Sequence, residues 1–296
     1  MSSLPPEDKL RCRLITDADL DAVAALLTEG FGKREREPWR CGLERLRERE
    51  LPEGRPRYGY CLLAGKRLVG VILVISSLRD RTGVAVPVAN VASWYVKPDY
   101  RAYAQMLVSM ALKQRDITYV NISAAPHTWS IVEKQGYTKY CNGLFVSFAA
   151  LTPPQPGVEI ITVDANGEVP EAIRQFADVP LLRRHAGWGC ESLVLRSGDT
   201  LQSMILRRFT IRKGQLRFPA MYVLHASDRD ALIRCCGNLG RHFLRRAAPL
   251  VMFDATGPVA GLPGFYTERR GCKFFKGPNP PALCDLADTE FAIFGF

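Results

Sequence analysis

Val132-Glu133-Lys134-Gln135-Gly136-Tyr137-Thr138-Lys139-Tyr140 is echoed about 135 residues later by Thr267-Glu268-Arg269-Arg270-Gly271-Cys272-Lys273-Phe274-Phe275. Each copy reads as the last turn of a helix carrying Glu and a basic residue. A glycine able to take positive φ closes it, and an aromatic-rich strand follows. The context repeats as well. Upstream of the first copy lie a strand at 88–96, a helix at 102–113 and a strand at 119–124. The second copy follows a strand at 220–224, a helix at 228–246 and a strand at 250–255. The gap from inner strand to glycine is similar, Ala124 to Gly136 against Ala255 to Gly271. Such a period is too long for a solenoid and suits two tandem copies of one α/β domain.

A chain of 296 residues holds two such domains, and 47% hydrophobic residues is the composition of a globular protein. No run approaches 18 uninterrupted apolar residues, so no membrane partner is expected. The N-terminus, Met-Ser-Ser-Leu-Pro-Pro-Glu-Asp, has neither a basic segment nor an apolar one, which points to a cytoplasmic protein. Nine cysteines include no Cys-x-x-Cys pair, and none of the four histidines stands at metal-ligand spacing from one. They read as free thiols in a reducing compartment, with no metal.

The net charge of +10 is spread, +6 over residues 1–150 (22 basic, 16 acidic) and +4 over the remainder (18 basic, 14 acidic). A nucleic-acid binder more often gathers charge in one arm or stripe, so that partner is disfavoured. Arg34, Arg36, Arg40, Arg45, Arg47 and Arg49 alternate with Glu35, Glu37, Glu44, Glu48 and Glu50, the pattern of a solvated helix face.

Residues 1–9 are polar and proline-rich and read as unstructured. A strand at 12–15 precedes a helix capped by Thr16 or Asp17, with Leu20, Val23, Ala24, Leu27 and Phe31 on one face. A helix at 39–49, a hairpin at 58–64 and 68–76 turning at Gly65-Lys66-Arg67, and a β-rich run at 84–96 follow. After the strand at 119–124 come a short helix at 127–135 and a closing strand at 143–151. Pro153-Pro154-Gln155-Pro156-Gly157 is the clearest linker and divides the expected domains, 11–151 and 158–296. The second half reads as a strand at 159–163, a helix at 169–176, an undecided segment at 187–196, and strands at 201–209 and 216–224. The helix at 228–246, the strand at 250–255, a helix at 265–270 and a terminal strand at 290–294 complete it.

This order resembles the GCN5-related N-acetyltransferase superfamily. Val96-Lys97-Pro98-Asp99-Tyr100-Arg101 resembles the family's entry to its pyrophosphate loop. Asn121-Ile122-Ser123-Ala124 resembles the strand that splays from its neighbour to admit a pantetheine arm, and Trp129–Tyr137 resembles the family's Y-E-[KR]-x-G-[FY] segment. The resemblance implies a mixed α/β sheet with flanking helices in each of two tandem acyl-CoA N-acyltransferase-like domains, the first binding the donor and the second degenerate. It implies acetyl-CoA or another acyl-CoA as co-substrate. Val96, Arg101, Ala102, Tyr103, Ala104 and Asn121 are the donor-binding candidates. The family's loop is glycine-rich so that backbone can approach phosphate, whereas Arg101-Ala102-Tyr103-Ala104 has none. The second half offers His225-Ala226-Ser227-Asp228-Arg229-Asp230, where Ser227 or Asp228 reads better as a helix cap, and Gly237 and Gly240 as sites of close packing.

Family members often place a tyrosine before the Glu of the Y-E-K segment to protonate the departing thiolate. Here Val132 and Thr267 hold that place, and Tyr266 is turned by about 100° on a helix. Tyr95 and Ser93 on the strand beside the thioester path, and Glu29 near the acceptor groove, are the substitute catalytic candidates. The expected protein is an acyltransferase acting on an amine, or a hydroxyl, of a small acceptor, as a monomeric pseudo-dimer or a homo-oligomer. The rivals are a non-catalytic acyl-CoA-binding or scaffold protein, favoured by the missing tyrosine and glycines, and a tandem transferase taking its group from an aminoacyl-tRNA, supported by the positive charge alone.

Overall fold

The computed structural model describes residues 9–81 and 84–295. The N-terminal stretch read as unstructured therefore lies, but for Lys9, outside the described residues. The first part of the chain runs β1 (Leu10–Leu14), α1 (Leu20–Gly30), α2 (Arg36–Glu48), β2 (Gly59–Ala64), β3 (Arg67–Arg81) and β4 (Val84–Val96). It continues through α3 (Ala104–Ala111), β5 (Thr118–Asn121), α4 (Trp129–Lys134), β6 (Thr138–Cys141) and β7 (Gly143–Ser147). Then come β8 (Val158–Thr162), α5 (Val179–Gly187), β9 (Glu191–Ser197), β10 (Thr200–Lys213), β11 (Leu216–Ala226), α6 (Arg229–Arg234) and α7 (Cys236–Leu244). The chain closes with β12 (Leu250–Ala255), β13 (Gly264–Thr267), β14 (Lys273–Lys276) and α8 (Glu290–Ile293).

Two seven-stranded mixed sheets result, ordered β1-β2-β3-β4-β5-β14-β6 and β13-β7-β12-β11-β10-β9-β8. The described residues divide into two compact units, one from residues up to 138 with 274–280 and 288–295, the other residues 139–273 with 281–287. The boundary thus falls beside Thr138 rather than in the proline-rich linker. The strand expected to close the first domain, β7, pairs instead with β12 and β13, while β14 pairs with β5.

In the first unit, local chemistry sets each element. Thr16 and Asp19 form a reciprocal capping box ahead of α1, whose Leu20, Val23, Ala24 and Leu27 are buried. Helix α2 is strongly charged, yet Trp39, Leu43 and Leu46 at helical spacing bury one face. The β2–β3 hairpin turns on Gly65 at φ 58°, a conformation that a two-residue hairpin demands. Between Lys97 and α3, residues Pro98–Tyr103 form a 3₁₀ helix, so the helical winding starts earlier than the sequence suggests.

In the second unit, Phe145, Leu206, Met221, Leu239, Phe243 and Phe253 belong to one buried core. Asp228 caps α6 by accepting from the backbone N–H groups of Asp230 and Ala231. The expected single helix is two, broken at Cys235. A Cβ on Gly237 would lie 2.4 Å from the Pro153 carbonyl oxygen, and one on Gly240 2.2 Å from the Ala149 backbone, so both glycines serve close packing.

Four expectations fail. Residues Gly264–Thr267 form a strand, not a helix, because Phe265, Tyr266 and Thr267 are strand formers with β7 as partner. Gly136 and Gly271 both take positive φ, 86° and 87°, but only Gly136 follows a helix. The terminal strand is the short helix α8, and the helix at 169–176 is a 3₁₀ turn at Glu171–Ile173 followed by α5. The undecided segment resolves into the end of α5 and then β9.

Candidate active site

Strands β4 and β5 run parallel for three residue pairs only, Val88–Thr118, Ala89–Tyr119 and Asn90–Val120. Beyond Asn90, β4 continues to Val96 without β5, and the two strands part. Asn90 is buried at the apex, where its Nδ2 donates to the Val120 carbonyl at 3.3 Å and its Oδ1 accepts from the Glu290 N–H at 2.8 Å. A cavity of about 360 Å³ lies in the gap, lined by Ser93, Trp94 and Tyr95 from β4, Asn121 and Ser123 from β5 and beyond, and Val132 from α4.

The β4 wall is bent. Val71 of β3 faces Tyr95 and Leu73 faces Ala92, so Ser93 and Trp94 together oppose Ile72. This bulge puts Ser93 at φ 49°, a backbone conformation that costs a non-glycine residue roughly 1–3 kcal/mol. Strain of this kind persists where the surroundings enforce it, and here it re-aims the backbone at the cavity wall. Beside the cavity, Trp94 Nε1 on β4 and Gln135 Nε2 at the end of α4 are buried with no hydrogen-bond partner among the described residues.

The structure brings Tyr95 and Glu29 together. The Tyr95 hydroxyl donates to Glu29 Oε1 at 3.2 Å, and Lys97 Nζ donates to Glu29 Oε2 at 2.6 Å. The lysine's hydrogen bond holds the exposed Glu29 carboxyl below its ordinary range, while burial and then Glu29 push the Tyr95 phenol up. The Tyr95 ring covers Gly30, where a Cβ would lie 2.3 Å from its Cγ. Phe31 links Tyr95 to Trp39, with ring centroids at 6.5 and 5.6 Å, and Trp39 meets Phe294 at 5.4 Å.

Of the donor-binding candidates, Asn121 lines the cavity. Val96 is buried, with its side chain against the Gly70 face. Arg101, Ala102, Tyr103 and Ala104 lie along the 3₁₀ turn and the start of α3. Tyr100 N–H donates to the Lys97 carbonyl and Ala104 N–H to the Arg101 carbonyl, so helical bonds consume donors that an open loop would leave free. Pro98 lacks an N–H and Asp99 adds negative charge, so Arg101 is the cation this turn offers. Val132, the residue before Glu133, is buried at the cavity wall and offers no hydroxyl. Tyr137 also lines the cavity, and burial holds its phenol far above the ordinary range.

Sequence reasoning missed Glu290. It is 2% exposed, and its Oε1 accepts from Ser123 Oγ at 2.7 Å. Burial raises the carboxyl to about 7, against the lowering effects of the Ser123 and Asn90 hydrogen bonds and the Arg34 charge. The available signal was Thr289 ahead of Glu290 and an apolar run, a helix start rather than a strand.

The second unit has the same parting of strands. Strands β11 and β12 pair in parallel from Ala220–Leu250 to Tyr222–Met252, which places Tyr222 where Asn90 stands in the first unit. Here the gap is occupied by the chain itself. Leu286 N–H donates to the Leu224 carbonyl at 2.6 Å, Ala226 N–H to the Cys284 carbonyl at 3.1 Å, and His225 bridges Asp285. Asp254, fully buried, accepts from Lys273 Nζ and from the Tyr222 hydroxyl, each at 2.7 Å. Burial, then the neighbouring Asp254, drives the Tyr222 phenol well above its usual value.

The fold is that of the GCN5-related N-acetyltransferases, present as two tandem copies. The chain is similar to a GCN5-related N-acetyltransferase from Anabaena variabilis ATCC 29413, with a TM-score of 0.58 and 13% identity over 90% of this chain and 72% of that one. It is likewise similar to one from Kribbella flavida, at a TM-score of 0.55 and 15% identity over 91% and 71% of the two chains. No protein-family model matches the sequence, and no curated protein matches it. Among the described residues no helix is long and apolar enough to cross a membrane, and no cluster of His, Cys, Asp and Glu could hold a metal ion.

Proposed function

We propose that the gap between β4 and β5 binds an acyl thioester, acetyl-CoA or another acyl-CoA, and that the protein transfers its acyl group to an amine. The observation that carries this reading is the contrast between the two gaps. The second is filled by residues 284–286 and a buried ion pair, while the first holds a cavity with a strained bulge. Asn121 and Ser123 on the cavity wall suit the carbonyls of a pantetheine arm, and Arg101 suits its phosphates.

The test is calorimetry of the full chain with CoA and acetyl-CoA, beside thiol release against a panel of amines. Saturable binding that Arg101→Glu weakens tenfold or more, with amine-dependent thiol release, is the expected result. Absence of binding to the wild type would remove the donor site.

A non-catalytic acyl-CoA-binding role is the second reading, favoured by Val132 and by the wound turn at Pro98–Tyr103. Val132→Tyr separates the two, since a general acid contributes about 10²–10⁴-fold. A gain in thiol release shows a competent site lacking its acid. Tight CoA binding with wild type and variant both inert supports the binding role.

A further inference from the structure

Ser123 and Glu290 are a hydroxyl–carboxyl pair at the point where β4 and β5 part. Ser123 lines the cavity, and its Oγ donates to Glu290 Oε1 at 2.7 Å. Glu290 itself is 2% exposed and is fixed at its backbone by the Asn90 side chain, which also bonds β5. The carboxyl therefore communicates with the cavity through one hydroxyl. A buried carboxyl is costly for stability unless it is hydrogen-bonded, and the Ser123 and Asn90 side chains do this for Glu290.

We propose that Ser123 and Glu290 form a proton relay that removes a proton from the acceptor amine, with Ser123 touching the substrate and Glu290 taking the proton behind it. This rests on the acyl-transfer reading above. As the amine nitrogen bonds to the thioester carbonyl carbon, one N–H proton passes to Ser123 Oγ and the Ser123 hydroxyl proton passes to Glu290 Oε1. The carbonyl carbon–sulfur bond then breaks, the thiolate leaves with the electron pair, and it takes up a proton from solvent. Glu290 later returns its proton to water through the same hydroxyl, so one amide and one thiol are produced with no net change in the protein.

The groups around Glu290 suit this task. Arg34 is the cation acting on it, held over the Trp39 ring at 4.5 Å and bonded to the Phe294 carbonyl. From α2, Arg45 donates to the Ile293 carbonyl at 2.5 Å, and from β3, Arg79 pairs with Asp288 at 3.2 Å. Strand β4 presents the neutral Asn90. Burial dominates over Arg34, which leaves the carboxyl at about 7, a value matched to accepting and releasing a proton near neutrality.

The experiment follows thiol release from acetyl-CoA with a reactive amine, between pH 5.5 and 8.5, for the full chain and for Glu290→Gln and Ser123→Ala. Circular dichroism and CoA calorimetry serve as folding controls. Ser123 lies at the exposed cavity wall, so its alanine variant keeps the test alive should Glu290→Gln misfold. The expected result is a wild-type rate that rises with pH to a plateau above about 7. Both variants should fall about 10²–10⁴-fold in kcat while still folding and still binding CoA, and Glu290→Gln should lose the rising limb. A wild type that transfers, with either variant keeping its full rate or Glu290→Gln its limb, overturns the relay and leaves acyl transfer standing. A wild type inert toward every amine overturns both.

Discussion

A carboxyl group shut away from water carries its own record of pH. In Glu290 burial raises the folded-state value from 4.5 to about 7. The sign follows from linkage: the unfolded chain ionises this group more readily, so its contribution is fully present below about pH 4.5 and is lost as pH rises through about 7. Glu290→Gln cannot ionise, and its stability relative to wild type should therefore improve by about 3 kcal/mol between pH 4.5 and 8. Urea unfolding of both proteins at pH 5 and pH 8 measures this, and parallel pH dependences would refute it. Several residues that line the cavity were legible in the sequence. Ser93, Tyr95 and Asn121 reach the cavity because a strand's position in the order fixes which edge it offers. Glu29 was read only as lying near the acceptor groove; its hydrogen bond with the Tyr95 hydroxyl was not legible. Glu290 was not legible, because its partners Asn90 and Ser123 lie 200 and 167 positions away and no local pattern announces them.

At the scale of elements, β13 shows how a segment's meaning depends on its partners. The Glu-Arg-Arg-Gly echo suggested a second helix end, and Gly271 does take the same backbone conformation as Gly136. The residues before it nevertheless pair as a strand, since Phe265 and Tyr266 find the β7 edge. A conformational requirement at one glycine is local and readable; the choice between helix and strand beside it is settled by tertiary pairing. Within the second unit, the Lys273 ammonium lies wholly buried against Asp254. Lys273→Met would strand the Asp254 carboxylate and should destabilise the protein by about 3–5 kcal/mol, whereas Lys273→Met with Asp254→Leu should recover most of that loss. Chemical denaturation of the single and double variants gives the comparison. Equal losses in both would show that the pair's charge is not what matters.

At the scale of the whole molecule, the duplication was readable from matching strand–helix–strand runs, and the structure bears it out in two sheets with like-placed parallel pairs. The assignment of segments to units was not readable. Residues 274–280 and 288–295 belong with the first unit, and β7 with the second. Strand partners far apart in sequence leave no trace in composition or periodicity, and the proline-rich linker marks only a surface crossing. A chain cut within residues 153–157 should thus give an N-terminal piece lacking β14 and α8, and a C-terminal piece lacking β7. Neither alone should unfold cooperatively, while the two produced together should. Calorimetric melting of each piece is the measurement, and a sharp two-state transition from either by itself would contradict the segment exchange.

The return of residues 274–295 to the first unit also places the molecule in time. During synthesis, residues 1–138 emerge early but lack the strand beside β5 and the helix that covers Asn90. At about 5–20 residues per second, the ribosome needs roughly 8–30 s more to deliver that segment. For that interval the nascent first unit exposes an unpaired β5 edge and the bare apolar face of Trp39 and Gly42, where Phe294 will later pack. The yield of folded protein should therefore depend on how fast the final segment is translated.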